Sequence, residues 1–354
     1  MPSPAVSVEA REAQKLHGFL VANSLFEASL KPKKIGSKVF FPVKKITKEL
    51  LAEMKTVSRS AEKCSAKFSE NALKPRSLKD ALAGKLSEKL LSFVQSSFDS
   101  LGDAAIIEVP EELKGKEKII GLALMETNKS IESVYMKTGA HEGIFRVEPV
   151  KLIAGKKKKF ATYKEHGCTF RISMGKVFFS PRLSTERKRI SALIKEGEVV
   201  AALFAGAGPF PIVFAKNSKM EKAIAIELNP VAVEDMRQNI ALNKVTGRVE
   251  PVSGDVKALA EKYAGTCDRA VMPLPKGGED FLADAIKYIR PSGGVVHYYQ
   301  FVSRENPFGA PLKQIAEACK KLGRKFRVLV KRKVREYSPD TIQVVIDFEV
   351  KAPQ

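Results

Sequence analysis

Gly206 and Gly208 stand two apart in the run Phe204-Ala205-Gly206-Ala207-Gly208-Pro209-Phe210-Pro211, where an apolar strand ends and a helix should begin. Two glycines at that spacing let backbone approach a ligand closely, at the carboxyl ends of strands where open α/β sheets bind their ligands. A nucleoside fits such a place. The third glycine of a dinucleotide fingerprint is absent, Pro211 standing there, which weighs against NAD or a pyrophosphate. The next apolar run, 223–226, ends in Glu227, placed to accept two ribose hydroxyls. A third run ends at Ser253-Gly254-Asp255, where an acid or a backbone group can take an adenine amino group. Each alone has a plainer reading, as a turn glycine, a solvated loop acid or a helix cap.

The elements that must hold these residues follow one pattern after residue 180. A helix over 185–195 precedes apolar runs at 198–204, 223–227, 249–252, 269–272 and 294–300, with helical segments at 231–243 and 280–288 between them. Strands that read apolar throughout and alternate with helices predict a doubly wound, mostly parallel sheet covered on both faces. Two final strands, 327–335 and 341–350, joined by the turn Tyr337-Ser338-Pro339-Asp340, predict an antiparallel pair at the sheet's edge. A glycine loop and two acids at three successive strand ends are the layout of class I S-adenosylmethionine-dependent methyltransferases, with their Rossmann-like sheet.

Upstream, Leu16, Leu20, Val21 and Leu25 predict one helical face, followed by the apolar run Val39-Phe40-Phe41-Pro42-Val43, a small α/β module. Residues 44–70 are polar and rich in Lys and Ser, which predicts a linker. Leu78, Leu82, Leu86, Leu90 and Leu91 open a second unit at helical spacing, with strands expected at 105–109, 134–137 and 169–172, an α+β domain. The expected domains are thus 1–70, 71–178 and 179–354.

The 354 residues carry a formal charge of +21, so a polyanion is the expected partner, nucleic acid being the abundant one. Lys156 to Lys159, Arg187 to Arg189, and Lys331-Arg332-Lys333 with Arg335 are the clusters expected to meet phosphate. A solvated loop, or an edge strand kept charged against sheet-to-sheet association, would look the same. Cys64, Cys168, Cys267 and Cys319 form no C-x-x-C pair, and neither a metal site nor a disulfide framework is expected. No apolar stretch approaches the roughly 18 residues of a membrane span and no secretory layout opens the chain, so no membrane association and a cytoplasmic location are expected.

The chain resembles the archaeal and eukaryotic class of tRNA (guanine37-N1)-methyltransferases. The match rests on Phe179-Ser180-Pro181-Arg182-Leu183-Ser184-Thr185-Glu186-Arg187, the 204–210 loop, Glu227-Leu228-Asn229-Pro230, Pro273-Leu274-Pro275 and Tyr337-Ser338-Pro339. The resemblance implies S-adenosyl-L-methionine as methyl donor, held by Arg182, Phe204, Gly206, Gly208, Glu227, Asn229, Asp255, Val256 and Pro273. It implies Glu186 as general base and Arg146, in Gly143-Ile144-Phe145-Arg146, beside the guanine O6. That chemistry is coherent: guanine N1 carries a proton at neutral pH, and methylation needs it removed while O6 gains negative charge. Without the resemblance, Glu186 reads as an acid favoured at a helix start and Arg146 as one more phosphate contact.

The family commonly has an asparagine where Pro273 stands, its side chain helping to hold the target base. Here a backbone carbonyl, Lys276 or another residue must take that part. The implied partner is tRNA, with the N-terminal module on its outer corner and the later domains on the anticodon arm; no protein partner is implied and a monomer is expected. Two alternatives stand beside methyl transfer: a wybutosine-pathway aminocarboxypropyl transferase using the same donor, and a non-catalytic tRNA-binding protein. A second methyl transfer, to an imidazo-fused guanosine, is also open.

Overall fold

The computed structural model describes residues 2–70, 75, 77–139, 145, 147 and 149–352. They fall into two units, Met1–Arg76 and Ser77–Gln354.

The first unit runs β1 (Ser3–Glu9), α1 (Ala13–Ala22), β2 (Lys33–Ile35), β3 (Lys38–Pro42), α2 (Lys48–Val57) and β4 (Glu62–Ala66). Its strands form an antiparallel sheet in the order β2-β3-β1-β4. Val6 and Val8 of β1, Leu16 and Leu20 of α1 and Met54 of α2 share one buried cluster. Val21 departs from expectation: it is 53% exposed, because one residue past Leu20 turns the side chain about 100° around the helix. Residues 44–70 are not a linker but hold α2 and β4. Their polar composition misleads because α2 buries only Met54, and β4 is an edge strand that pairs with β1 alone.

The second unit opens with α3 (Leu78–Leu82) and α4 (Glu88–Ser92). The leucines at helical spacing fall in two pieces, with Gly84 at φ +76° between them. Next come β5 (Asp99–Leu101), β6 (Ala104–Ile107), α5 (Glu117–Thr127), β7 (Ser133–Lys137) and β8 (Val150–Gly155), whose strands form one sheet in the order β5-β6-β7-β8. A hairpin of β9 (Phe160–Glu165) and β10 (Cys168–Ser173) follows.

The rest of the chain runs α6 (Ser184–Leu193), β11 (Val199–Leu203), α7 (Pro209–Asn217), β12 (Lys222–Glu227), α8 (Pro230–Leu242), β13 (Val249–Ser253), α9 (Val256–Leu259) and β14 (Arg269–Met272). It closes with α10 (Leu282–Lys287), β15 (Gly293–Ser303), α11 (Gly309–Lys321), β16 (Phe326–Glu336) and β17 (Thr341–Lys351). These strands form a seven-stranded sheet, β13-β12-β11-β14-β15-β17-β16, parallel from β13 to β15. The final hairpin lies at the edge with β17 antiparallel to both neighbours and β16 outermost.

Every residue of the interior strand β11 is buried, and period-two alternation divides its side chains between two cores. Val200 and Ala202 join α6, α7 and α8. Val199, Ala201 and Leu203 join α9, α10 and α11. Covering both faces is what lets the strand be apolar throughout.

The β9–β10 hairpin is fastened to α8 by a ladder of polar side chains. Asp235, Asn239 and Asn243 accept from the backbone amides of Ser173, Arg171 and Thr169, at 2.6, 2.7 and 2.8 Å. The spacings match, since four helical residues rise about 6 Å and two strand residues about 6.6 Å. A segment assigned by sequence to the middle domain is thereby bonded to the helix that follows Glu227.

Candidate active site

The glycine loop joins β11 to α7 through three left-handed residues, Phe204 (φ +55°), Gly206 (+56°) and Gly208 (+85°). Its shape is tied to the next strand: the Gly206 amide donates to Glu227 Oε2 at 2.7 Å, and the Ala205 amide to the Ile226 carbonyl at 2.9 Å. The Asn229 amide donates to the other carboxylate oxygen, Oε1, at 2.7 Å. Glu227 is therefore fixed from both sides while each oxygen keeps acceptor capacity, four lone-pair sites being available to a carboxylate. Burial pushes its carboxyl up from the ordinary value, and the amides of Asn229, Gly206 and Leu228 pull the other way.

The two glycines do different jobs. A Cβ on Gly206 would meet only the Phe178 carbonyl, at 3.6 Å, so that side of the loop stays open. A Cβ on Gly208 would lie 2.9 Å from Ile212 Cδ1 and from Met236 Cγ. Gly208 carries no side chain because the core beneath it is full, a packing reason that stands beside its expected part in the donor loop.

Asn229 caps α8, its Oδ1 accepting from the Val231 amide at 3.0 Å, while its Nδ2 donates to the Lys176 carbonyl at 2.8 Å. Asp255 caps α9, with Oδ1 accepting from the amides of Lys257 and Ala258. Val256 is buried, and its carbonyl accepts from the Tyr288 hydroxyl. The Phe204 ring packs edge-on against Phe281 at 5.0 Å. Pro273 follows β14 in a segment pinned to β15 by the Phe301 amide on the Pro275 carbonyl, 2.9 Å. Arg182 donates to Asp99 at 2.7 Å and lines a cleft of about 730 Å³ with Tyr163 and Pro181. Arg146 lies outside the described residues.

Glu186 sits in the first turn of α6, 2% exposed. Its Oε2 accepts from the Tyr299 hydroxyl at 2.8 Å and from Arg189 Nε at 3.0 Å, and its Oε1 from Arg332 Nη1 at 2.8 Å. Arg189 continues to Asp347 at 2.6 Å, and Asp347 accepts from His297 Nδ1 at 2.7 Å. His297 Nε2 faces Arg269 Nη1 at 2.7 Å. A guanidinium can only donate, so this ring accepts at Nε2, carries its proton on Nδ1 and is neutral. Burial also lowers the pKa of this fully enclosed imidazole.

Some members of the expected phosphate clusters are engaged by acids of the chain itself. Arg187 is buried in a two-pronged pair with Glu165, and Arg189 and Arg332 serve Glu186. Lys158 is paired with Asp103 and Glu132. Sequence reasoning missed Tyr299, His297 and Asp347 altogether. Tyr299 reaches Glu186 and Asp347 reaches Arg189 across more than a hundred positions, and His297 joins Asp347 across 50, separations that leave no local signal.

A model described as the TRM5/TYW2 methyltransferase domain matches residues 161–329, and one described as the TYW2 N-terminal domain matches 78–158. A Pyrococcus abyssi protein named tRNA (guanine(37)-N(1))-methyltransferase Trm5b is 38% identical over 349 residues, 98% of each chain. The chain belongs to the TRM5/TYW2 methyltransferase family. A Methanocaldococcus jannaschii protein also named Trm5b is 28% identical, over 98% of each chain. A protein of that organism named tRNA(Phe) (4-demethylwyosine(37)-C(7)) aminocarboxypropyltransferase is 30% identical, covering 71% of this chain and 96% of its own.

Among solved structures, P. abyssi Trm5b superposes with a TM-score of 0.78 at 36% identity, covering 99% of each chain. The complex of aTrm5 with tRNALeu gives 0.82 at 26% identity, covering 98% of this chain and 99% of that one. M. jannaschii Trm5 in complex with adenosine gives 0.65 at 25% identity, covering 99% of each. The class I methyltransferase fold expected from sequence is the fold the family shares. Among the described residues, no helix is long and apolar enough to cross a membrane.

Proposed function

We propose that this protein transfers the methyl group of S-adenosylmethionine to N1 of guanosine 37 in tRNA, the nucleoside 3′ of the anticodon. The observation that carries the reading is likeness along almost the whole chain to a guanine37-N1 enzyme, 38% identity over 98% of both proteins. The relative named as an aminocarboxypropyl transferase matches only 71% of this chain, which favours methyl transfer.

The residues at the strand ends fit the donor. Glu227 is held by two amides with acceptor capacity left for two ribose hydroxyls, and the open side of Gly206 leaves room for backbone approach. Asp255 and Val256 follow β13, where the donor's base would be met, and Phe204, Asn229 and Pro273 follow β11, β12 and β14. When bound, the donor supplies an electrophilic methyl carbon on a sulfonium.

The chain must then take the N1 proton and face the charge that develops on O6. Glu186 meets only donors among the described residues, so its carboxylate is an acceptor, as a base requires. It is enclosed here, and of its three partners Arg332 is the most open, with 37% of its side chain exposed. Exchange of the Arg332 contact for the guanine edge would bring the base to its proton. Arg146 takes the O6 charge in this reading, and a backbone carbonyl of the Pro-Leu-Pro segment replaces the family's asparagine at Pro273. We place the unit Met1–Arg76 on the outer corner of the tRNA and the rest on the anticodon arm, in a cytoplasmic monomer.

The test is incubation of bulk tRNA with labelled S-adenosylmethionine, then nuclease mapping and nucleoside mass analysis. The expected product is 1-methylguanosine at position 37. A nucleoside heavier by an aminocarboxypropyl group, or no transfer with donor binding intact, would overturn the reading.

A further inference from the structure

A second cleft, of about 690 Å³, opens between the turn after β8, the β9–β10 hairpin and the exposed side of α8. Its walls carry Lys157, Lys159, Arg171 and Lys176 around the Phe160 ring. The Arg171 guanidinium carbon stands 3.3 Å from the centre of that ring, and Lys159 Nζ lies 5.3 Å from it. Stacking holds the planar fork in place and leaves its N–H edge pointing away from the ring plane's apolar face. Among the described residues Arg171 makes no ion pair.

The turn that presents the lysines is rigidly built. The Lys156 amide donates to the Glu132 carbonyl, and its carbonyl accepts from Ser133 Oγ at 2.6 Å. Tyr135 brackets Lys158, its hydroxyl accepting from the amide at 2.7 Å and donating to the carbonyl at 3.1 Å. The Lys158 ammonium turns inward to Asp103 and Glu132, whereas Lys157 and Lys159 on either side stay exposed.

The acids on the far wall do not neutralise these cations. Asp235 is buried and engaged by the amide and hydroxyl of Ser173, and exposed Glu234 accepts from Gln238 at 2.8 Å. Asp235 does lie within electrostatic reach of Arg171. Four unpaired or exposed cations against two engaged acids still leave a net positive cleft.

We infer that this cleft binds a backbone phosphodiester of the substrate RNA, with the Arg171 fork on two non-bridging oxygens and Lys157 and Lys159 beside it. Like charges crowded on one aromatic ring are an arrangement that an anion relieves. The cleft is wide enough for a nucleotide unit, and it borders the donor loop: Lys176 lines the cleft, and its carbonyl holds Asn229, two residues beyond Glu227. A strand anchored here is therefore anchored against the helix that starts at the donor site. The inference rests on the tRNA reading for the identity of the RNA, but its test needs no chemistry.

Binding of full-length tRNA is measured against potassium chloride concentration for the intact protein, Arg171→Gln, Arg171→Lys, and Lys157→Gln with Lys159→Gln. Arg171→Gln should weaken binding about tenfold at low salt. It should also flatten the log–log salt slope by about 0.7 to 0.9. Arg171→Lys should keep the slope and recover part of the affinity, and the lysine pair, at exposed positions that leave the fold alone, should flatten the slope by about twice as much. S-adenosylhomocysteine affinity should stay unchanged in all three. Affinity within twofold of the intact protein and an unaltered slope in both the Arg171→Gln and the lysine variants would overturn the inference. So would inorganic phosphate binding that Arg171→Gln abolishes while tRNA affinity is intact, since that marks a small-anion site. Absence of methyl transfer with these binding effects present would fail the proposed function and leave the cleft assignment standing.

Discussion

The Tyr299 hydroxyl donates to the Glu186 carboxylate at 2.8 Å, joining β15 to the first turn of α6 across 113 positions of sequence. Both groups are buried, and burial, together with the neighbouring Glu186 charge, holds the phenol protonated, its pKa well above the ordinary value. A buried donor on one side and Arg189 on the same oxygen fix the plane of the carboxylate. The remaining oxygen faces Arg332, the partner closest to solvent.

From this relationship, Glu186→Gln should lower single-turnover methyl transfer by about 10² to 10⁴-fold with donor binding nearly normal. Tyr299→Phe removes only a hydrogen bond to a charged acceptor, about 1.5–3 kcal/mol. It should slow the chemical step less than Glu186→Gln does and leave donor affinity intact. Rapid-quench kinetics on tRNA read both, and equal rates for Glu186→Gln and the intact enzyme would assign the proton to another group.

The two loop glycines should separate under substitution. Gly208→Val puts a branched Cβ against Ile212 and Met236 at φ +85°, adding roughly 1–2 kcal/mol of backbone strain to about 1–3 kcal/mol of overpacking. Gly206→Val meets no comparable clash, so its fold should suffer backbone strain alone while donor affinity falls. Thermal melting with and without S-adenosylhomocysteine distinguishes them; a larger stability loss at Gly206 would contradict the packing argument.

Arg187 and Glu165 are a buried two-pronged pair, with the Arg187 guanidinium also 5.5 and 5.6 Å from the Phe179 and Phe210 rings. Arg187→Gln leaves an uncompensated buried carboxylate and should cost about 3–5 kcal/mol. Adding Glu165→Gln should restore part of it. Urea unfolding of the two single variants and the double gives the cycle, and a single-variant loss below 1 kcal/mol, roughly the value of an exposed pair, would sink the claim.

Acid should destabilise the second unit through His297 and Asp347. Burial keeps His297 neutral when folded, whereas unfolded it protonates as pH falls through about 6.5, so its contribution is lost below that pH. Burial alone would raise the Asp347 carboxyl, but the hydrogen bond from neutral His297 and the hydrogen bond and charge of the Arg189 guanidinium overcome it and hold the group below its ordinary value. Its folded value lies below the unfolded 3.8, so the stability it gives is present above pH 4 and is lost as pH falls toward 2. Unfolding free energy should be level near pH 8 and fall below 6.5 by up to about 1.4 kcal/mol per pH unit for each proton taken up. A rise in stability between pH 6.5 and 5 would contradict the neutral assignment of His297.

Sequence by itself determined where the strand ends fall. Apolar runs at βαβ spacing forced a parallel sheet, and the loop at Gly206 and the acid at Glu227 had to meet where neighbouring parallel strands end, because register in such a sheet is local. The same logic failed where contacts are distant or composition is ambiguous. The polar run 44–70 concealed α2 and β4, since an edge strand and a surface helix need few apolar residues. The leucine repeat at helical spacing is divided at Gly84, whose positive φ no periodicity reports. Charge runs named as phosphate contacts were reassigned by folding: Arg187 and Arg189 went inward to acids, while Arg171, unremarkable in sequence, came to lie on Phe160 beside Lys159. A charge says only that a counter-charge is needed. Which counter-charge is supplied by the chain, and which is left open, was decided by packing that brings residues from 11 to 158 positions apart into contact.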